Sequence, residues 1–236
     1  MMKLLLSIFF LVISIEAFSQ AQTESFLDMD AAIGSAEGTF SMAYIHNWKV
    51  GKRKKLLLGV GGRFSTYFGQ NQFYVTAPAS ITSGSTGPGV FFKENIEENM
   101  DSLLINSAQV NAVNAKFNIG YQFSDKISLG FNIDLLGFSF GGERDGNYIN
   151  GNQGQMVSSS PTPFNVLLIS DNDIGSLNSE LYIRYAVSEK WQIRGGAQFL
   201  FTEYTTDTEV QQFPEPNDRF RNKSLMLMLG AGFRIK

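Results

Sequence analysis

Along residues 224–236, Leu225, Leu227, Leu229, Ala231, Phe233 and Ile235 alternate with Met226, Met228, Gly230, Gly232 and Arg234. Successive side chains of a strand point to opposite faces, so a period of two predicts a β-strand with one apolar face. The same period recurs at Ala115, Phe117, Ile119, Tyr121 and Phe123, and again at Ile127, Leu129, Phe131, Ile133 and Leu135. There the pattern slips at Leu136-Gly137 and Phe138 and Phe140 change parity, as a β-bulge causes. Further alternating runs are Leu181 to Val187, Trp191 to Phe201, Leu56 to Phe68 and Phe40 to Trp48. A weaker run, residues 26–34, sets Leu27, Met29, Ala31 and Ile33 against Asp28, Asp30, Ala32 and Gly34, and ends in a turn-like Ser35-Ala36-Glu37-Gly38. Counting it gives eight strands, an even number as bacterial single-chain barrels have.

The connections alternate in length. They are short at residues 50–55, 124–126 and 188–190, and long at about 69–109, 141–177 and 205–222. An up-and-down barrel with periplasmic turns at one end and extracellular loops at the other requires this alternation. All six prolines fall in the long connections, where they interrupt no ladder hydrogen bond. With this direction of travel, Trp48, Tyr121, Phe123, Tyr185, Trp191 and Phe233 gather near the periplasmic rim as an interfacial aromatic girdle. A soluble β-sandwich, the alternative all-β fold, shows no such segregation by end.

At the N-terminus Lys3 precedes an apolar stretch from Leu4 to Ile15, followed by Ala17-Phe18-Ser19 with small residues at the positions a signal peptidase reads. The apolar run is shorter than the ~20 residues a spanning helix needs, so residues 1–19 read as a cleaved signal peptide and residues 20–236 as one exported barrel domain. Composition agrees with that class. Phenylalanine (21) and glycine (23) are abundant while charged residues are 17% of the chain, below the ~25% of an average soluble domain. The absence of cysteine excludes a lipoprotein anchor, disulfides and thiolate metal sites, and a net charge of −3 gives no reason to expect nucleic acid.

With these strands in place the chain resembles the small outer-membrane β-barrel proteins common in Bacteroidota, similar in architecture to the eight-stranded barrels of the OmpA and OmpX type. The C-terminal strand carries the most specific likeness. Gly230, Phe233 and Ile235 look like the spaced positions read by the barrel-assembly machinery, although the chain ends in Lys236 where an aromatic is usual. The resemblance implies biogenesis through that machinery and a place in outer-membrane lipid. It does not imply an activity, because such barrels differ widely in role.

Parity places Asp28, Asp30, Asp134 and Glu180 inside, with Arg63, Lys116, Arg184, Arg194 and Arg234. An eight-stranded barrel is only wide enough for its own side chains to fill, so these groups are expected to pair as a structural salt-bridge network that closes the lumen. The first and last strands are expected to lie side by side, with Asp28 and Arg234 near the periplasmic rim and close enough to interact. A narrow ion path is the functional alternative.

Enzymatic chemistry finds little support. His46, the single histidine, has outward parity and no adjacent acid to orient it, so no nucleophile and base pair, no His-based metal cluster and no cofactor site is expected. Asp171-Asn172-Asp173-Ile174-Gly175 partly matches a calcium loop but lacks the distal glutamate, which favours a solvated turn. Phe91, Phe92, Ile96, Met100, Leu103 and Leu104 recur at roughly helical spacing and predict a short amphipathic helix that caps the barrel or docks a partner. Lys52-Arg53-Lys54-Lys55 reads as a solvated or phosphate-facing periplasmic tip. The resulting expectation is a barrel acting as anchor, with extracellular loops that bind a partner, a larger outer-membrane protein complex among the candidates. A narrow pore is the alternative, and a lipid-modifying enzyme a more distant one.

Overall fold

The computed structural model describes residues 22–87, 90, 92–151, 153–168 and 172–235. The expected signal peptide lies outside the described residues. Eight antiparallel strands close into a ring: β1 (Gln22–Ile33), β2 (Glu37–Val50), β3 (Leu56–Thr76), β4 (Ser102–Gln122), β5 (Ile127–Phe140), β9 (Leu177–Ala186), β10 (Trp191–Thr206) and β11 (Arg219–Arg234). Each strand pairs with the next in this order, and β1 pairs with β11 to close the ring. The seam is in register from Phe26↔Arg234 to Ile33↔Leu227, so no edge strand is left unpaired in the ring.

Alternation decides what each face meets. On β11 the outward Leu225, Leu227 and Leu229 are all at least two-thirds exposed, while Met226 and Met228 are buried inside. On β1, Leu27 and Met29 face out and Asp28 and Asp30 are buried in the lumen. A continuous apolar exterior over a polar interior inverts the arrangement of a soluble protein and fits hydrocarbon outside. The slip expected at Leu136-Gly137 is a bulge: Ala115 pairs with Leu136 and Lys116 with Asp134, which leaves both Leu135 and Leu136 exposed on the outer face.

At the end carrying the long connections the fold goes beyond eight strands. The stretch about 69–109 is not a loop throughout, because β3 continues to Thr76 and β4 starts at Ser102. The stretch 141–177 holds β6 (Arg144–Asn150), β7 (Gln153–Pro161) and the short β8 (Phe164–Val166). Here β11 leaves β1 and pairs with β3 at Phe220↔Thr76 and Arg221↔Val75, β6 joins β4, and β7 joins β10. The eight-stranded ring therefore narrows into a second, six-stranded ring of β3, β4, β6, β7, β10 and β11. The expected amphipathic helix is absent among the described residues. Leu103 and Leu104 belong to β4, where the strand period puts Leu103 in the core, and residues 97–99 form only a 3-10 turn. A single helical turn, α1 (Ala79–Ser83), lies earlier in the same connection. Phe91 lies outside the described residues.

The apolar exterior makes a direct prediction. Leu229→Arg at this two-thirds exposed site is expected to cost about 2–4 kcal/mol in a bilayer, where an ordinary surface substitution costs within about 0.5 kcal/mol. Urea unfolding of liposome-reconstituted protein measures the difference, and a neutral result would contradict a lipid-facing β11.

Candidate functional site

The lumen is built from the inward residues of the eight ring strands. At the short-turn end, Glu24 pairs with Lys49 at 3.0 Å and with Arg234 at 3.8 Å. Above it the buried Phe26 ring lies 4.3 Å from the Arg184 guanidinium. Arg184 grips Asp28 through two hydrogen bonds of 2.8 Å and also donates to Gln192. Arg194 stands at the centre: Nη1 reaches Asp28 at 3.0 Å and Asp30 at 2.5 Å, and Nη2 reaches Glu180 at 3.0 Å. Glu180 also takes Arg63 at 3.1 Å and Asn132 at 2.8 Å, and Arg63 extends to Asp134 at 3.2 Å. Asp134 in turn accepts from Asn114 and from the backbone N–H of Asn178. Lys116 is buried among these groups, within electrostatic reach of Glu180 and Asp28.

Four acids, Asp28, Asp30, Asp134 and Glu180, thus stand with four bases, Arg63, Lys116, Arg184 and Arg194, in one buried space. Removing a charge from water is expensive, and only multiple short contacts per group offset the cost. The backbone makes room for them at inward glycines. A Cβ on Gly230 would clash with the Asp30 carboxylate, one on Gly232 would meet Arg184 and Asp28, and one on Gly130 would strike the Tyr182 ring. Tyr182 is a structural member of the same layer. Its hydroxyl donates to Asn118, and the Arg194 guanidinium lies 4.1 Å from its ring.

Arg234 is the exception among the nine residues expected inside the lumen. It faces inward next to Phe26, but it sits at the rim, a third exposed, and pairs with Glu24. The expected contact between Asp28 and Arg234 is not formed. Although their strands pair across the seam, Asp28 looks across the bore to Arg184 and Arg194, whose long side chains reach it from β9 and β10.

Above the charged layer the lumen turns apolar. Tyr74 and Tyr204 pack edge to face at 5.1 Å, Tyr148 and Phe220 at 6.0 Å, and Leu103, Ile105, Leu200 and Met226 fill the space between the walls. Tyr204 fixes the plug by a hydrogen bond to each of the backbone N–H and C=O of Gln109. Tyr148 donates to Asp101 at 2.6 Å, and burial together with that carboxylate pushes its hydroxyl up to about 12, so it remains a donor at neutral pH. This plug had a faint signal in the sequence, the inward-parity run Leu103, Ile105 and Tyr74, hidden within what read as a loop.

On the outer face of the narrow ring, the buried carboxylate of Glu203 holds Arg219 at 2.8 Å and Arg221 at 2.7 Å, and both arginines donate to the Asp173 carbonyl. Asp173, one of the residues that suggested a calcium loop, therefore serves as an anchor that ties its connection to the wall, with its side chain accepting from the N–H of Leu168. No cluster of three or more candidate metal-ligating side chains occurs among the described residues.

At the short-turn rim, Tyr121 packs on Phe123 at 5.2 Å and Trp191 on Phe233 at 5.1 Å, all edge to face, with Tyr185 exposed beside them. His46 packs against Trp48 at 4.9 Å and shares a 2.8 Å hydrogen bond with Ser25 through Nδ1.

In comparisons with known proteins the chain matches no described family and no curated protein. Among solved structures it is similar to Neisserial surface protein A, with 10% identity, a TM-score of 0.35, and coverage of 89% of this chain and 94% of that one. It is also similar to the attachment invasion locus protein Ail of Yersinia pestis in complex with sucrose octasulfate, with 11% identity, a TM-score of 0.37 and coverage of 90% and 98%. A third is the N-terminal β-barrel domain of Pseudomonas aeruginosa OprF, with 8% identity, a TM-score of 0.35 and coverage of 92% and 100%. Likeness at this level transfers no activity, ligand or partner to this chain.

The network yields a prediction by double-mutant cycle. Asp28→Asn strands Arg184, so the single change is expected to cost about 3–5 kcal/mol. Coupling between Asp28→Asn and Arg184→Gln should exceed ~0.5 kcal/mol, while Asp28→Asn and Arg234→Gln should add without coupling. Urea titration of the reconstituted barrel reads both cycles, and the reverse ranking would overturn the cross-bore pairing.

Proposed function

We propose that the chain is an outer-membrane β-barrel whose lumen is sealed, and that the barrel anchors a binding platform formed by the six-stranded ring and its connections at the extracellular end. The observation that carries this reading is the double closure of the bore. A neutralised charge network fills the wide ring, and an aromatic and aliphatic plug fills the narrow one. An ion crossing the bore would have to break several short ion pairs and then enter an apolar constriction.

In this reading the short turns and the aromatic rim face the periplasm, and the long connections face outward. Export follows cleavage of a leader after Ser19, and assembly uses the barrel-assembly machinery. The reading contains no catalytic step. The single histidine is engaged with Ser25 and Trp48 at the rim, and the lumenal acids are engaged by arginines. Recognition then belongs to surface rather than lumen, as is common where loops stand on a rigid scaffold. A partner protein at the extracellular end is the occupant this platform suits, through the exposed tip of the β6 and β7 hairpin at residues 153–156.

The purified protein in planar bilayers is expected to show no stable conductance at either polarity. Reproducible ohmic channels would replace the sealed anchor with a narrow pore.

A further inference from the structure

Charge is distributed unequally between the two ends of the barrel. The long-loop end carries exposed acids, Glu94, Glu97, Glu98, Asp207, Glu209 and Glu215 among them. At the short-turn end the acids are Glu24, Asp125 and Glu189, and Glu24 is already engaged by Lys49 and Arg234. Against them stand Lys52, Arg53, Lys54 and Lys55 in one turn, with Lys126 and Lys190 in the other two.

The basic turn has a defined shape. Gly51 and Lys54 both take positive φ, at 81° and 50°, and the N–H of Lys54 closes the turn on the Gly51 carbonyl at 3.0 Å. Lys55 donates to the Phe123 carbonyl at 3.3 Å, which ties this turn to the one at residues 122–125. Between the two turns lies an open cleft of about 630 Å³, with Lys49 and the four basic residues on one wall and Gln122, Phe123, Ser124 and Asp125 on the other. The side chains of Lys52, Arg53 and Lys54 are exposed at its mouth.

Depth selects the ligand. The lipid-facing surface begins at Leu56, immediately after Lys55, where Leu56 pairs with the rim residue Tyr121, on which Phe123 packs. Basic side chains one residue beyond an apolar belt and beside interfacial aromatics stand where lipid phosphates lie, and clustered Lys and Arg at that depth attract anionic headgroups. We propose that this cleft binds the phosphate headgroup of an anionic phospholipid of the inner leaflet, whose acyl chains lie along the outer face near Leu56 and Tyr121. The proposal rests on the outer-membrane reading, which sets these turns at the periplasmic side.

The test is native mass spectrometry of the full barrel released from bilayers of equimolar phosphatidylglycerol and phosphatidylcholine. Retained lipid should be enriched in phosphatidylglycerol. The exposed triple variant K52Q/R53Q/K54Q should lose about tenfold or more of that preference, since each Lys or Arg near an anionic surface contributes roughly fivefold. The double variant K126Q/K190Q should keep the preference. Equal retention of the two lipids, or equal losses in both variants, would overturn a defined cleft. Displacement of the lipid by millimolar inorganic phosphate would overturn the lipid as the source of the phosphate. Binding of soluble peptidoglycan fragments in place of lipid enrichment would likewise overturn it. Failure of the barrel to insert at all would overturn the outer-membrane reading together with this inference, whereas insertion without selectivity would overturn the inference alone.

Discussion

A backbone N–H or C=O that meets hydrocarbon without a partner costs several kcal/mol, and a sheet has two edges full of them unless it closes on itself. The pairing of β1 with β11 removes both edges, and the other features of the fold depend on it. Once the ring closes, the two-residue period of every strand divides the chain into a lipid face and a lumen face. A slip of one residue at the seam would place Asp28 and Asp30 in lipid and Leu27 and Met29 in the bore. The inward acids therefore select one register as well as filling space.

The bore is filled in two different ways along its length. In the wide ring the walls are far enough apart for arginines to cross it, and charge balance plus inward glycines let four acids and four bases share a volume without water-exposed ends. In the narrow ring, six strands bring the walls close enough for tyrosine and phenylalanine to meet, and the interior becomes an ordinary apolar core. The change of filling coincides with the change of strand number, where β11 leaves β1 for β3. Breaking one partner of the charged layer is costly because it leaves the other charge buried and uncompensated, whereas the apolar layer loses stability in proportion to the contacts removed.

Much of this was legible in the sequence, because alternation is the most direct signal a membrane strand leaves. The strand faces, the bulge after Asp134, the aromatic rim and eight of the lumenal charges follow from parity alone. Parity gives a face and a height but not a reach, which is why Asp28 was expected to meet Arg234 on the adjacent strand when Arg184 and Arg194 reach it from across the bore. The second ring was hidden for a different reason. Beyond the lipid belt both faces of a strand can be polar, so Gln70-Asn71-Gln72 in β3 and the Gly, Ser and Gln residues of β7 lose the period that marks a strand. The helical spacing read across residues 91–104 joined a turn to the first residues of β4, and tertiary pairing overrode it.

The closed seam can be tested with a chemical lock, and the cysteine-free chain is a clean background for one. Ala31 and Leu229 are cross-strand partners on the lipid face of β1 and β11, and paired strand positions lie within the ~4.4–6.8 Å of Cα separation that a disulfide spans. Oxidation of Ala31→Cys/Leu229→Cys in the folded, reconstituted protein should give an intramolecular disulfide in nearly every molecule, with the shift of one residue, Ala32→Cys/Leu229→Cys, forming far less. A monomer that stays uncrosslinked, or crosslinking only between molecules, would show that the ring does not close through β1 and β11.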